Sequence, residues 1–287
     1  MNCGVLRLSL QEIDPFPWFL HKDVPLLING QRVEMNIRAA EWTKRWRPFL
    51  SNLLELQRLC GRRMLVGVAG TPGSGKSFFT EQLAWMATKN ILPKVNIVSL
   101  PMDGFHFPES VLAERFLQLE DGRQLRMNQC KGSPDTFDVP LLREHLLRLK
   151  QTPSKMTWPG YDRLRHKPVP QAISIHESVN LAMVEGNYLF LDRPPYEGIA
   201  DIFDLRIYVE APPASVVTNL MNRHMEGGKT VGMAKDWVRH VDLPNARLVE
   251  MTKAKAEVLI QRDRDGAISA VVWANTPSSS EPNPDDV

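Results

Sequence analysis

The chain has 287 residues, 43% of them hydrophobic and 24% charged, with a formal net charge of +2 and no dense block of Lys or Arg. This composition is typical of a folded globular protein and gives no reason to expect a nucleic-acid partner. The sequence lacks a run of about 18 apolar residues and a basic segment leading into an apolar one, so we expect a cytoplasmic protein without a membrane partner. Cys3, Cys60 and Cys130 stand far apart, which argues against a disulfide framework or a zinc site.

Two short segments near the N-terminus predict a β-hairpin. Residues 26–28 and 31–37 flank Asn29-Gly30, a dipeptide typical of a tight two-residue turn. We predict that the chain divides into an N-terminal appendage (1–60), which contains this hairpin, a main domain (61–274) and a disordered Ser/Pro/Asp-rich tail (275–287).

Residues 39–59 have apolar positions at helical spacing. Pro48 within this range predicts a kink or a break between two shorter helices, and Gly61 predicts the end of the helix. Trp42 and Trp46 lie one turn apart; we interpret them as core residues, with a ligand platform as the alternative.

The strongest local pattern lies between residues 64 and 88. Met64–Ala69 predicts a buried parallel strand, and residues 78–88 predict a helix. The connection between them matches G-x-x-x-x-G-K-[ST] at every fixed position, which in this context indicates a phosphate-binding loop rather than an ordinary Gly-rich turn. The candidate nucleotide-binding residues are Gly70, Thr71, Pro72, Gly73, Ser74, Gly75, Lys76, Ser77 and Phe78.

A bound nucleoside triphosphate would explain these residue types. Gly70, Gly73 and Gly75 let backbone N–H groups turn toward an anion, and the following helix adds the positive end of its dipole. Lys76 is expected to reach the β- and γ-phosphates, and the Ser77 hydroxyl to bind Mg²⁺. We therefore expect ATP and Mg²⁺ as cofactors.

Residues 94–100 predict a second strand, which leads directly into Asp103. Ligands of open α/β sheets bind beyond the carboxyl ends of the strands. Asp103 is thus a candidate to accept a proton from an acceptor hydroxyl, with a simple Asp-Gly turn as the alternative. His106 is a candidate to bind the acceptor, or to bond the backbone only.

Residues 108–119 predict a helix, and two polar loops follow that could close over a small molecule. The first, 131–138, precedes a predicted helix over 139–149 that Asp138 caps. The second spans 158–166. For each side chain of the two loops, the alternative is an ordinary surface position without a binding role. The candidate substrate-binding residues are Asp103, His106, Asp135, Phe137, Tyr161, Arg163 and His166.

Residues 180–185 predict a third strand that ends at Glu185. A carboxylate that follows mostly apolar residues is costly to bury unless it is paired or bound to a metal. We therefore expect Glu185, together with Ser77, to bind Mg²⁺ or its water.

The segment 226–230 contains two glycines and interrupts a predicted helix, as expected of a hinged lid. A cation beside it would neutralise charge on a transferring phosphoryl group. Arg223 is the first candidate and Lys229 the second, with a solvated helix end as the alternative. The remaining predicted elements are a strand over 201–210, a helix over 212–225, one or two helices over 235–262 and a last strand over 267–273.

The alternation of strands and helices predicts an α/β protein of the P-loop NTPase fold, with a parallel β-sheet flanked by helices, a lid and an N-terminal α+β appendage. If the chain assembles with itself, a homodimer is the commonest form.

Taken together, the motifs resemble those of the phosphoribulokinase/uridine kinase/pantothenate kinase group of P-loop kinases. The resemblance extends over roughly residues 60–273 and is nearest to bacterial pantothenate-kinase-like, nucleoside-kinase-like or fructose-transport kinase proteins. The motifs that carry it, in the family's order, are GTPGSGKS, MDGFHF, KGSPDTFD, YDR followed by His166, VEGNYLFLD and Arg223-His224.

The resemblance implies that Asp103 activates the acceptor hydroxyl and that Glu185 lies near the metal. It implies phosphate and Mg²⁺ contacts for Lys76 and Ser77, a lid arginine at Arg223, and acceptor-binding loops at Asp135, Phe137, Tyr161, Arg163 and His166. The sequence departs from the family pattern in its Gly-Gly-Lys lid, which is poor in arginine, in Cys130 before Lys131, and in residues 1–60, which have no counterpart.

These residues lead us to expect an ATP-dependent kinase that acts on a hydroxyl of a small metabolite such as a nucleoside, pantothenate or a sugar-like polyol. Two alternatives stay open. One is a nucleoside-monophosphate or cofactor-precursor kinase, and the other is a nucleotide-dependent regulatory P-loop NTPase. Against the regulatory class, the sequence has no N-K-x-D or T-K-x-D tetrapeptide for reading guanine.

Overall fold

The structure, a computed structural model, describes residues 12–28, 30–118, 122, 124–151, 154–162, 165 and 167–274. The predicted tail and the candidate residues Arg163 and His166 lie outside the described residues. The strands are β1 (Val24–Ile28), β2 (Gln31–Met35), β3 (Met64–Ala69), β4 (Ile97–Pro101), β5 (Phe116–Gln118), β6 (Gln124–Arg126), β7 (Met156–Asp162), β8 (Lys167–Ile175), β9 (Leu181–Glu185), β10 (Leu205–Glu210), β11 (Val258–Arg262) and β12 (Ile268–Trp273).

The helical segments include two π-helices, Trp42–Trp46 and Val238–Asp242, each continuous with an α-helix. Short 3₁₀ turns occur at Met102–Phe105, Met127–Cys130, Pro134–Thr136, Ala200–Ile202 and Lys253–Lys255. After a short α-helical start at Ala39–Glu41, the α-helices are α1 (Arg47–Cys60), α2 (Lys76–Thr88), α3 (Glu109–Glu114), α4 (Val139–Gln151), α5 (Pro213–Glu226), α6 (Val231–Trp237) and α7 (Leu243–Glu250).

Six strands form the central sheet in the order β12-β11-β10-β3-β9-β4. Neighbours from β11 to β4 run parallel, whereas β12 pairs antiparallel with β11 because a short turn can join only antiparallel neighbours. Strands β3 and β9 are buried at every position, as expected of parallel strands covered on both faces. The predicted α/β fold is confirmed. No helix of the described ranges is long and apolar enough to cross a membrane.

The N-terminal segment contains the predicted hairpin and helix. Strands β1 and β2 pair with Ile28 opposite Gln31, and Gly30 has a φ of +85°; Asn29 lies outside the described residues. The backbone stays helical from residue 39 to residue 60, so the break considered at Pro48 does not occur. A π-helix ends two residues before this proline instead, and α1 ends at the left-handed Gly61 as predicted.

Trp42 and Trp46 are core residues, as predicted, with 0% of each side chain exposed. The Trp46 ring stacks on Phe79 of α2 at a centroid distance of 5.7 Å, and Phe49 contacts the same ring at 5.7 Å. The N-terminal segment therefore shares one hydrophobic cluster with α2 and the sheet. Burial of these rings fixes the helix that begins at Lys76.

Strands β7 and β8 pair as a β-hairpin, so the loop predicted over residues 158–166 was wrong for residues 158–162, which belong to β7. Trp158 is fully buried, and its Nε1 donates to the Pro101 carbonyl oxygen at 2.9 Å. A Cβ at Gly104 would lie 2.2 Å from the carbonyl oxygen of Pro159, which shows how closely the hairpin approaches the end of β4. The Pro-Gly pair that suggested a loop instead accompanies a register shift within the strands.

Two predicted helices were also wrong in part. The helix predicted over 108–119 ends with α3, and residues 116–118 instead form β5, which pairs with β6. The helical region predicted over 235–262 ends in β11, where buried Val258 and Ile260 alternate with less buried neighbours. Of the predicted strands, β4 begins at Ile97 and β10 at Leu205, later than expected.

We predict that Trp46→Ala lowers the free energy of unfolding by about 3–5 kcal/mol, because it removes a buried ring that stacks on Phe79 and donates to Glu41 at 2.9 Å. Urea unfolding measures the change. Leu59→Ala, at an exposed position of the same helix, is the matched control and should change it little. A loss as small as that of the control would contradict the core assignment.

Candidate active site

The register of three parallel strands places their carboxyl ends side by side. Val68 of β3 pairs with Glu185 of β9, and Glu185 pairs with Pro101 of β4. Adjacent strands are about 4.8 Å apart, so β3 and β4 end within roughly 10 Å of each other. The phosphate-binding loop, Glu185 and Asp103 therefore leave the sheet at the same edge, as the sequence predicted.

The backbone of the phosphate-binding loop requires glycine at its two ends. A Cβ at Gly70 would lie 2.2 Å from the carbonyl oxygen of Val209. Gly75 has a φ of +90° and precedes α2, and a Cβ there would lie 2.0 Å from Nη1 of Arg262. Residues Pro72 to Phe78 line the cleft, whereas Gly70 and Thr71 are not among its lining residues.

Lys76 is buried at the start of α2 and is held by two acceptors. Its Nζ donates to the Thr71 carbonyl oxygen at 3.1 Å and to Oδ1 of Asn187 at 2.8 Å. Asn187 was not among the predicted site residues, although it lies two residues after Glu185. Its position beyond a strand end, in the VEGNY motif, was the available signal.

Glu185 has the polar partner that its burial requires. The Ser77 hydroxyl donates to Oε1 of Glu185 at 2.8 Å, and the Glu185 side chain is 6% exposed. The two residues predicted to bind a metal thus lie in direct contact. Both offer oxygen ligands, which Mg²⁺ prefers.

Asp103 lies in the 3₁₀ turn after β4 and lines the same cleft. His106 Nδ1 lies 2.9 Å from the Asp103 carbonyl oxygen; because a carbonyl only accepts, Nδ1 carries the hydrogen. The His106 ring contacts Phe137 at 3.8 Å and Tyr161 at 5.3 Å between centroids. These four predicted residues therefore form one end of the cleft, which we call the acceptor end.

Lys131 also lines the acceptor end and was not among the predicted site residues. Its Nζ lies 3.6 Å from Glu109 and 5.6 Å from the centre of the Tyr161 ring. Burial lowers the pKa of Lys131, and the neighbouring Glu109 carboxylate opposes that shift. A partly desolvated ammonium group therefore faces the acceptor end.

Two buried tyrosines hold the loop that follows Lys131. Tyr188 donates to the Gly132 carbonyl oxygen at 2.5 Å, and Tyr196 donates to that of Pro134 at 2.8 Å. Burial raises the pKa of both phenols well above the usual value, so they act as hydrogen-bond donors. Asp135 is paired with Arg193 at 3.6 Å and is not among the residues that line the cleft.

The two candidate lid cations lie near Asp242. Arg223 is 3.5 Å from its Oδ1, and Nε2 of His224 is 2.6 Å from its Oδ2. The Lys229 ammonium lies over the Trp237 ring at 4.8 Å, and burial lowers its pKa, with Asp242 opposing the shift and Arg223 adding to it. Both cations line the cleft, on either side of the Gly227-Gly228 turn that was predicted as a hinge.

The cleft has a volume of about 740 Å³, within the range of small-molecule sites. Arg262 of β11 lies at its border, where Nη1 donates to the Gly75 carbonyl oxygen at 3.0 Å. Burial lowers the pKa of Arg262 to about 10, opposed by the charge of Glu41, so the guanidinium stays charged near neutral pH. Arg262 was missed because β11 was predicted as a helix.

A phosphate-binding loop within a parallel sheet, with carboxylates at the ends of two neighbouring strands, defines the class of P-loop phosphotransferases. The family model of the phosphoribulokinase/uridine kinase family matches residues 65–269, and the chain belongs to that family. It is a kinase whose acceptor is an alcohol group.

Individual proteins are also similar to this chain in sequence. The uncharacterized protein YggC of Escherichia coli (strain K12) is 33% identical over 245 residues, which cover 85% of this chain and 97% of that protein. A candidate uridine kinase of Schizosaccharomyces pombe is 30% identical over 71% of this chain and 85% of its own length. A pantothenate kinase of Rhodopseudomonas palustris is 31% identical, over 51% of this chain and 45% of its own.

Solved structures show the same fold. A candidate fructose transport system kinase from Silicibacter sp. TM1040 has a TM-score of 0.58 and 29% identity, covering 69% of this chain and 94% of its own. D-glycerate 3-kinase from Cryptococcus neoformans has a TM-score of 0.59 over 78% of this chain and 97% of its own, and at 13% identity it shares the fold alone.

We predict that Gly75→Ala weakens ATP binding about tenfold or more. The new methyl group would meet both a left-handed backbone and the Arg262 guanidinium, which holds the loop from outside. Isothermal titration calorimetry measures the affinity.

Gly61→Ala is the matched control. Gly61 also has a left-handed backbone, with a φ of +67°, but a Cβ there would meet none of the described residues within 4 Å apart from its chain neighbours. The substitution should cost about 1–2 kcal/mol of stability and leave ATP binding unchanged. Equal ATP affinities of the two variants would contradict the role of the contact between Gly75 and Arg262.

Proposed function

We propose that the protein transfers the γ-phosphoryl group of ATP to a hydroxyl of a small metabolite, with Asp103 as the general base. The observation that carries this proposal is the strand register, which opens the phosphate-binding loop, Glu185 and Asp103 into a single cleft. A carboxylate beyond the end of the triphosphate site can accept the proton of an attacking hydroxyl.

Several features of the loop support a triphosphate there. Its backbone adopts left-handed conformations at glycines 73 and 75, which turn N–H groups toward an anion. Oγ of Ser74 is buried without a hydrogen-bond partner among the described residues. Lys76 supplies a positive charge that is already oriented by Asn187, so little rearrangement is needed as charge moves during transfer.

The residues also fit Mg²⁺. Ser77 and Glu185 supply adjacent oxygen atoms, and Mg²⁺ usually takes one or two protein ligands and completes its shell with phosphate oxygens and water. When bound, the ion would neutralise charge on the phosphates. Glu185 would orient the Ser77 hydroxyl toward it.

Arg223 and Lys229 are proposed to stabilise the transferring phosphoryl group. Both lie beside the Gly227-Gly228 turn, so closure of this segment would bring positive charge to the phosphates and exclude water. The ion pair between Arg223 and Asp242 would hold the cation until then.

The acceptor is best identified by an ADP-release screen of the purified protein against nucleosides, sugars, polyols, hydroxy acids and pantothenate. The relatives named above have different acceptors, and loops rather than the fold determine specificity. Turnover that requires one class of alcohol would support the proposal. Turnover independent of every acceptor, with a partner bound only in the ATP state, would instead indicate a regulatory NTPase.

We predict that Asp103→Asn lowers kcat by at least ~10²-fold with little change in ATP affinity, because the amide cannot accept the proton. Steady-state kinetics with the acceptor from the screen measures the effect. Asp135→Asn is the matched control, since Asp135 pairs with Arg193 outside the cleft. Unchanged transfer in Asp103→Asn would remove this residue from the mechanism.

We also predict that Lys76→Ala abolishes phosphoryl transfer and tight ATP binding, since Lys76 supplies the positive charge at the start of α2. Lys89→Ala, at the exposed end of the same helix, should leave both intact. A Lys76→Ala protein that retained tight ATP binding would contradict the assignment of the phosphate-binding loop.

A further inference from the structure

The cleft extends along the sheet edge to both sides of the phosphate-binding loop. Strand β3, which carries the loop, is two strands from β4 on one side and two strands from β11 on the other. The acceptor end follows β4. The opposite end is lined by the turn after β11 and by the tip of the β1–β2 hairpin, including Ile28, Gln31, Val33 and Arg264.

The inference rests on the proposed function. If that function holds, the arrangement of the cleft fixes the direction in which a nucleotide binds. The outer phosphate must point toward Asp103 to reach the acceptor. The nucleoside must therefore lie on the other side of the loop, at the end bordered by β11 and the hairpin.

One face of the hairpin is buried at its base and lines the cleft nearer its tip. Side chains two residues apart share a face of a strand, and directly paired residues of two strands share a face of the hairpin, so Val24, Leu26, Val33 and Met35 lie on one face. At the base of the hairpin this face is buried, with the paired residues Val24 and Met35 7% and 0% exposed. One pair nearer the tip, Leu26 is still buried, whereas its partner Val33 is 37% exposed and lines the cleft together with Ile28. An apolar surface thus continues from the core to the nucleotide cleft.

Contacts with two other elements hold the hairpin there. Gln31 Nε2 donates to Oε2 of Glu226, at the end of α5, at 2.9 Å. Glu41, which follows the hairpin, accepts a hydrogen bond from the Ile268 N–H at 2.8 Å and so attaches this segment to β12. The wall formed by the hairpin is therefore fixed relative to the helix that carries Arg223 and to the turn after β11.

We propose that the β1–β2 hairpin forms one wall of the nucleoside site, with Ile28 and Val33 in contact with the base of ATP. A base presents flat apolar faces, and these two side chains offer apolar surface beside the charged phosphate site. Residues before the family match, which starts at residue 65, thereby contribute directly to nucleotide binding.

The test compares ATP with inorganic tripolyphosphate, which has the phosphates without the nucleoside, in calorimetric titrations of the full chain. Val33→Asn should weaken ATP binding about tenfold, the order expected when a polar group replaces an apolar contact, and leave tripolyphosphate binding within about twofold. Leu27→Asn is the matched control: it lies on the other face of the hairpin and is 71% exposed, so both affinities should be unchanged.

An unchanged ATP affinity in Val33→Asn, or an equal loss for ATP and tripolyphosphate, would overturn the inference. If that variant fails to fold, Val33→Ala takes its place with an expected loss of about fivefold for ATP alone. Lys76→Ala separates the two proposals, because it should weaken both ligands. If it weakens neither, the proposed function fails; if it weakens both while the Val33 variants bind ATP normally, only the hairpin inference fails.

Discussion

Parallel pairing of β3, β9 and β4 is the constraint on which the site depends. Each strand positions one part of the proposed active site: the phosphate-binding loop after β3, Glu185 at the end of β9 and Asp103 after β4. A shift of one residue in register turns a side chain to the opposite face of a sheet. The 2.8 Å contact between Ser77 and Glu185 thus exists only because the sheet pairs in this one register, and the buried strands enforce it.

The phosphate-binding loop is also supported from two sides. Below it, Trp46 and Phe49 pack around Phe79 and fix α2. At its border, Nη1 of Arg262 donates to the carbonyl oxygen of Gly75 and so fixes the orientation of the peptide that carries the Lys76 N–H. Donors that are already oriented cost little reorganisation when charge develops. The N-terminal segment and strand β11 therefore both support the start of α2.

The sequence predicted those parts of the site that depend on local structure. Lys76 and Ser77 follow from a contiguous motif, and Asp103 and Glu185 from the rule that ligands bind at strand ends. Asn187 and Arg262 were missed because their contacts join distant segments, and Arg262 also because β11 was predicted as a helix. Strand β7 was misread for the same reason: Pro159 and Gly160 resemble a loop locally, and pairing with β8 outweighs that preference. Arg163 and His166 stay predictions.

The composition of the acceptor end limits the acceptor more than the phosphate motif does. Phe137 and Tyr161 provide aromatic surface around His106, while Asp103 and Lys131 bring opposite charges. A wholly apolar acceptor would displace water from both charged groups without replacing the hydrogen bonds that the water makes, which costs free energy. A compact molecule that carries several polar groups would form hydrogen bonds with both charged groups. If the acceptor binds at this end, as proposed, a substrate with several polar groups would therefore be preferred over one with a hydroxyl alone.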